Sequence, residues 1–142
     1  MKFLVLNGPN LNLLGQREPG IYGEQTYDGL CRQLTAFAEA HGSTVDFVQS
    51  NYEGALIDAI HGAPGKYDAM VMNPGAFTHY SIALLDALKA VDVPCIEVHI
   101  SNVHSRESFR HVSMIACACK GVICGFGLNS YRLALEALLE NK

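Results

Sequence analysis

The chain has 142 residues, enough for one domain with a real core and too few for two ordinary ones. Its formal net charge of −4, with no basic cluster, argues against nucleic acid as a partner. No apolar run approaches the roughly 20 residues of a membrane span, and the apolar start at Phe3–Leu6 is too short for a signal-peptide core, so a cytoplasmic protein is expected.

Phe3–Leu6 reads as a buried strand. After it, the stretch from Asn7 to Gly23 runs for roughly sixteen residues before the next helical pattern, against roughly 4–6 in most connections. It holds four glycines, two prolines, Arg17 and Tyr22. Glycine hinges around a tyrosine and an arginine suggest a mobile lid carrying reactive side chains. A plain surface loop is the alternative. Tyr27 to His41 then carries a helical stripe of Leu30, Leu34, Phe37 and Ala38, with Thr26 as N-cap and Gly42 as stop. Thr44–Gln49 reads as a strand, and Asn51 as the cap of a helix through about His61. Asp68–Asn73 is a third strand, followed by a turn at Gly75 and a helix from about His79 to Val91. Cys95–His99 is a fourth strand, after which Ser105 is placed to cap a short helix around Phe109. Gly121–Cys124 is a fifth strand, and the last helix runs from about Asn129 to Glu140.

Strand and helix alternate, and the strands are short and apolar. That pattern predicts an α/β domain with a doubly wound parallel sheet and helices on both faces. Five such units fit the flavodoxin-like strand order 2-1-3-4-5, in one domain spanning 1–142.

In such folds ligands bind beyond the carboxyl ends of the strands. Strand 1 ends in Asn7 and Asn10, with Arg17 and Tyr22 beyond; strand 3 ends in Asn73 and leads to His79; strand 4 holds Glu97 and ends in His99. Singly, each has a plain structural explanation: His79 as a helix-start residue, Asn73 as a turn former, His99 as a satisfied buried histidine. The proposed strand order brings all three ends together on one rim. Period two puts Glu97 and His99 on the same face of their strand. The carboxylate then favours the imidazolium and orients the ring, as a proton donor near neutral pH requires. Arg17 near Tyr22 would favour the phenolate and make a base of a phenol whose ordinary pKa is ~10. A tyrosine that staples its own loop is the alternative.

Six motifs, Asn7-Gly-Pro-Asn-Leu-Asn, Arg17-Glu-Pro-Gly-Ile-Tyr-Gly, Gln49-Ser-Asn-Tyr-Glu-Gly, Asn73-Pro-Gly-Ala-Phe-Thr-His, Glu97-Val-His-Ile-Ser-Asn and Arg106-Glu-Ser-Phe-Arg, appear in order across nearly the whole chain. Together they resemble type II 3-dehydroquinate dehydratase. The resemblance implies a reversible trans-dehydration of 3-dehydroquinate to 3-dehydroshikimate through an enolate, in the shikimate pathway or in quinate breakdown. It implies no metal and no organic cofactor, and a homo-oligomer, a dodecamer of trimers. It also implies roles. Tyr22 is the base at C2 and Arg17 tunes it. Asn10 helps hold the water that stabilises the enolate oxygen. His99 is the acid at the C1 hydroxyl, and Glu97 supports the site electrostatically. Asn73, His79 and Arg110 bind the substrate's hydroxyls and carboxylate region, and the backbone amides of Ile100 and Ser101 hold the carboxylate. Asp86 reaches in from a neighbouring subunit. Asn51-Tyr52, Ser130 before Tyr131, and Cys117-Ala-Cys119 depart from the family's usual pattern.

Other readings of the same fold fit less well. A flavin or phosphate binder needs a phosphate-cradling loop after strand 1, which Asn-Gly-Pro-Asn-Leu-Asn does not resemble. A phospho-receiver needs acidic residues where Asn7 and Asn73 stand. A Schiff-base dehydratase needs a site lysine, and Lys2, Lys66, Lys89, Lys120 and Lys142 all fall outside the motifs. The five cysteines read as buried free thiols; Cys117, Cys119 and Cys124 with His111 match no usual zinc spacing. Helix 3 carries an alanine face, with Ala83, Asp86, Ala87 and Ala90 opposite Leu84, Leu85, Leu88 and Val91. With charged residues at only 17%, such a face suits a buried contact between subunits.

Overall fold

The computed structural model describes residues 1–16 and 25–141. Five parallel strands, β1 (Lys2–Asn7), β2 (Thr44–Gln49), β3 (Ala69–Asn73), β4 (Cys95–His99) and β5 (Gly121–Cys124), lie in the order β2-β1-β3-β4-β5. Helices α1 (Tyr27–Ala40) and α4 (Asn129–Glu140) cover one face; α2 (Glu53–His61) and α3 (Ile82–Lys89) cover the other. This is the flavodoxin-like sheet that the alternation of elements predicts.

The two cores follow from period two along each strand. Phe3, Val5, Val71, Ile96 and Val98 pack with Leu30, Leu34, Tyr131 and Leu135. Leu4, Leu6, Met70 and Met72 pack with Leu56, Ile60, Leu84 and Leu88 on the opposite face. Full burial of each such large side chain stabilises by about 1.5–3 kcal/mol.

Thr26 caps α1 as predicted, accepting from the Gly29 amide at 3.1 Å. Elsewhere local boundaries differ from the sequence reading. Asn51 does not cap α2; Tyr52 holds that position, and Asn51 Oδ1 accepts from the Asn10 backbone amide at 3.0 Å. The stretch before α3 is a separate 3-10 turn, Gly75–His79, and α3 begins only after Ser81, whose hydroxyl accepts from the Leu84 amide at 3.0 Å. Ser105 ends a 3-10 turn at Val103–Ser105 that Asn102 caps, and the next turn, Ser108–Arg110, begins after Glu107 rather than after Ser105. Ala87 is buried in the core beside Leu88, so the exposed side of α3 is Ile82, Ala83, Asp86, Lys89 and Ala90. All five cysteines are free, but against the expectation of buried thiols just Cys95 is buried; Cys31, Cys119 and Cys124 are half-buried and Cys117 is exposed.

Two glycines bring the ends of β1 and β3 together. The Gly8 amide donates to the Asn73 carbonyl at 2.8 Å, and a side-chain carbon at Gly8 would lie 2.3 Å from the Pro74 oxygen. Gly75 adopts φ +60°, a conformation that favours glycine, and faces Pro9. The two motif loops can therefore touch, which forms one wall of the cleft described next.

Candidate active site

A cleft opens beyond the carboxyl ends of β1, β3 and β4. Its polar walls are Asn10, Asn73, His79, His99, Ser101, Arg106 and Arg110, with Pro9, Ile100 and Val103 between them. It encloses about 500 Å³ of empty space, part of it open to solvent. A cleft walled by two arginines and two imidazoles suits a small polar anion.

The floor is a buried hydrogen-bond chain. The Tyr131 hydroxyl donates to Asn7 Oδ1 at 2.6 Å, and Asn73 Nδ2 donates to the Tyr131 hydroxyl at 2.8 Å. Asn73 Oδ1 accepts from the Gly75 amide at 3.1 Å. These bonds fix the Asn73 amide plane. On the other side Asn10 sits at φ +70°, a left-handed position that asparagine tolerates better than most residues. Gln49 Nε2 donates to the Gly8 carbonyl at 3.1 Å and to Asn51 Oδ1 at 3.2 Å, tying the end of β2 to the same loop.

The wall at β4 holds the reactive pair. Glu97 is fully buried and His99 nearly so, and His99 Nε2 lies 2.7 Å from Glu97 Oε1. Burial pushes the Glu97 carboxyl up, but the hydrogen bonds from His99, Thr78 and Ser113 and the charge of His99 outweigh it. The group therefore stays below the ordinary glutamate value, an ionised acceptor. An acceptor carboxylate assigns the proton on Nε2 to the imidazole and leaves Nδ1 as the ring atom able to meet a reactant.

His79 stacks near His99, with ring centroids 6.4 Å apart. Its Nδ1 donates to the Val112 carbonyl at 2.8 Å. Desolvation lowers its pKa below the ordinary histidine value, and the nearby His99 and Arg110 push the same way, against that hydrogen bond. His79 is thus neutral near pH 7, with Nε2 as an acceptor.

Two cations frame the mouth. Arg106 Nη1 donates to the Ser101 hydroxyl at 3.3 Å, and Arg110 Nε pairs with Glu107 at 2.6 Å. Of the residues predicted from sequence, Asn10, Asn73, His79, His99, Ile100, Ser101 and Arg110 line the cleft, and Glu97 stands directly behind His99. Tyr22 and Arg17 lie outside the described residues. Asp86 is exposed on α3 and is not among the residues lining the cleft of its own chain. The sequence reading missed Arg106, Thr78 and Ser113. Arg106 and Thr78 stand inside motifs already singled out, next to residues that were chosen. Ser113 is brought to Glu97 by a chain return with no short-range pattern. Among the described residues, no lysine lines the cleft.

Comparison with known proteins agrees with this geometry. The family model described as Dehydroquinase class II matches residues 1–139. A 3-dehydroquinate dehydratase of Anoxybacillus flavithermus is 57% identical over 140 residues, covering 99% of this chain and 95% of its own. One from Synechocystis is 61% identical over 142 residues, covering 98% and 91%. The crystal structure of a type II dehydroquinase from Butyrivibrio crossotus superposes with a TM-score of 0.96 at 48% identity, covering 98% of this chain and 97% of the other. Sequence along nearly the full length and backbone alike establish that the chain belongs to the class II dehydroquinase family.

Proposed function

We propose that the chain dehydrates 3-dehydroquinate reversibly to 3-dehydroshikimate through an enolate, as a hydro-lyase of the shikimate pathway. The observation that carries the chemistry is the buried Glu97–His99 pair, with His99 at the wall of a cleft that also presents two arginines. Loss of water across C1 and C2 needs a base for the C2 proton and an acid for the departing hydroxyl. Tyr22, with Arg17 favouring its phenolate, is the base. The C–H electrons move to the ketone oxygen, where a water held by Asn10 stabilises the enolate. The enolate then expels the C1 hydroxyl, which takes a proton from Nδ1 of doubly protonated His99 and leaves as water, the ring staying behind neutral with its Nε2–H on Glu97. Asn73, neutral His79 and Arg110 bind the hydroxyls and the carboxylate region. The backbone amides of Ile100 and Ser101 hold the carboxylate, and Arg106 adds positive charge beside them. All proton transfers are made by side chains, with neither metal nor organic cofactor.

Purified protein given 3-dehydroquinate should develop the ultraviolet absorbance of the conjugated enone. No rise, with the circular dichroism of a folded α/β protein, counts against this function.

The assembly is part of the same proposal. Asp86 enters the site of a neighbouring subunit in a dodecamer of trimers. Support comes from the exposed face of α3, where Ile82 is 58% exposed one turn from Asp86, with Tyr80 61% exposed nearby. Such apolar exposure beside small alanines fits a covered surface. Tyr22→Phe and Asp86→Ala chains should each be impaired alone. Unfolded together and reassembled, mixed oligomers should regain activity above the sum of the parents. Mixed oligomers with no gain would remove Asp86 from the shared site. The free cysteines and the absence of any helix long and apolar enough to cross a membrane, among the described residues, support a cytoplasmic setting.

A further inference from the structure

Glu97 is held by a group that is in neither the strand-end motifs nor the cleft wall. Ser113 follows the turn at Ser108–Arg110 and returns to the back of β4. Its hydroxyl accepts from the Ala116 amide at 3.1 Å, which fixes the oxygen. It lies 2.9 Å from Glu97 Oε1 and 2.8 Å from Oε2, so its single proton is shared across the carboxylate. Thr78 donates to Oε1 as well, and the Thr78 and Ser113 hydroxyl oxygens are 3.1 Å apart. The Met114 amide donates to the Thr78 carbonyl at 2.7 Å, holding the return segment in place. Glu97 thus meets His99, Thr78 and Ser113 as donors, and Ser113 alone among them touches both oxygens.

A carboxylate held by one oxygen can rotate about its terminal torsion, which is broad. Rotation would carry Oε1 away from His99 Nε2 and release the ring. We propose that Ser113 is a positioning residue for the acid step: by spanning both oxygens it locks the Glu97 carboxylate plane, which holds His99 with Nδ1 toward the cleft. This rests on the reading of His99 as the acid. Among the described residues, the titratable and charged groups around Glu97 are His99 and Cys95 on its own strand, His79 and Arg110 from the adjoining turns, and His104 and His111 around the cavity behind it.

Ser113→Ala removes the donor, and Ser113→Thr keeps it. For the alanine chain, kcat should fall about 10-fold, the size of one hydrogen bond to a charged group, with KM within about two-fold. Losing a donor to the ionised form raises the Glu97 pKa, so the limb of the kcat profile set by Glu97 protonation should move to higher pH. The threonine chain should restore both rate and limb. An unmoved limb in the alanine chain, or a threonine chain no better than alanine, overturns the proposal, because packing alone would produce that result. If the alanine chain does not fold, Ser113→Cys, with similar shape and a weaker donor, replaces it; a smaller fall in kcat and a smaller shift of the limb in the same direction are then expected, and an unmoved limb overturns the proposal. His99→Gln is measured alongside. Wild-type turnover in that variant would overturn the acid assignment itself. A dead His99→Gln with an unaffected Ser113→Ala overturns only the role of Ser113.

Discussion

Replacing Tyr22 by phenylalanine is expected to cut turnover by the 10²–10⁴-fold of a lost general base, or more. The ring and its packing stay, and only the proton acceptor goes. No second acceptor of comparable strength is in view among the described residues of the cleft: His79 is neutral, but its Nε2 is a far weaker base than a phenolate, and Glu97 is buried behind His99. Steady-state kinetics with unchanged circular dichroism is the check. KM should move little, since the phenol acts on the C–H bond in the transition state and adds little to ground-state binding. Turnover near wild type would remove Tyr22 from the mechanism.

His99→Gln is expected to lower kcat by a similar 10²–10⁴-fold. Glutamine can still donate to Glu97, so the buried carboxylate keeps a partner and the fold keeps its stability. What is lost is a group able to release a proton to the leaving hydroxyl. Hydroxide is a poor leaving group, and the enolate should then revert to substrate faster than it expels it. The variant should therefore still exchange the C2 hydrogen of 3-dehydroquinate with deuterated water while forming product slowly. Nuclear magnetic resonance of recovered substrate reads that exchange. Loss of exchange and product together would show that His99 acts before the enolate forms.

The strand order was legible because each β-strand is short, apolar and followed by a helical stripe, and only a parallel doubly wound sheet buries all of them. The convergence of Asn10, Asn73, His79 and His99 followed from that order alone. Period two was enough to pair Glu97 with His99, which the structure places 2.7 Å apart. Local ends were harder. Asn51 has the residue type of a helix cap, yet the Asn10 backbone amide claims its side-chain Oδ1, a contact across 41 residues that no local window contains. Ala87 fits an exposed alanine stripe by spacing, but α3 is rotated so that Leu84, Ala87 and Leu88 enter the core together. Ser113 reaches Glu97 across 16 residues of turns, and a serine in a turn carries no signal of what it will meet. Tertiary contacts decided all three.

The most direct test of separate acid and base follows a label. A tyrosine base and a histidine acid on opposite sides of the ring require anti elimination. Substrate carrying deuterium at C2 on the face opposite the C1 hydroxyl should give 3-dehydroshikimate without deuterium, the label appearing in water. Substrate labelled on the other C2 position should give product that keeps it. Mass spectrometry of the product distinguishes the two. Retention of the opposite-face deuterium in 3-dehydroshikimate would contradict the two-sided mechanism.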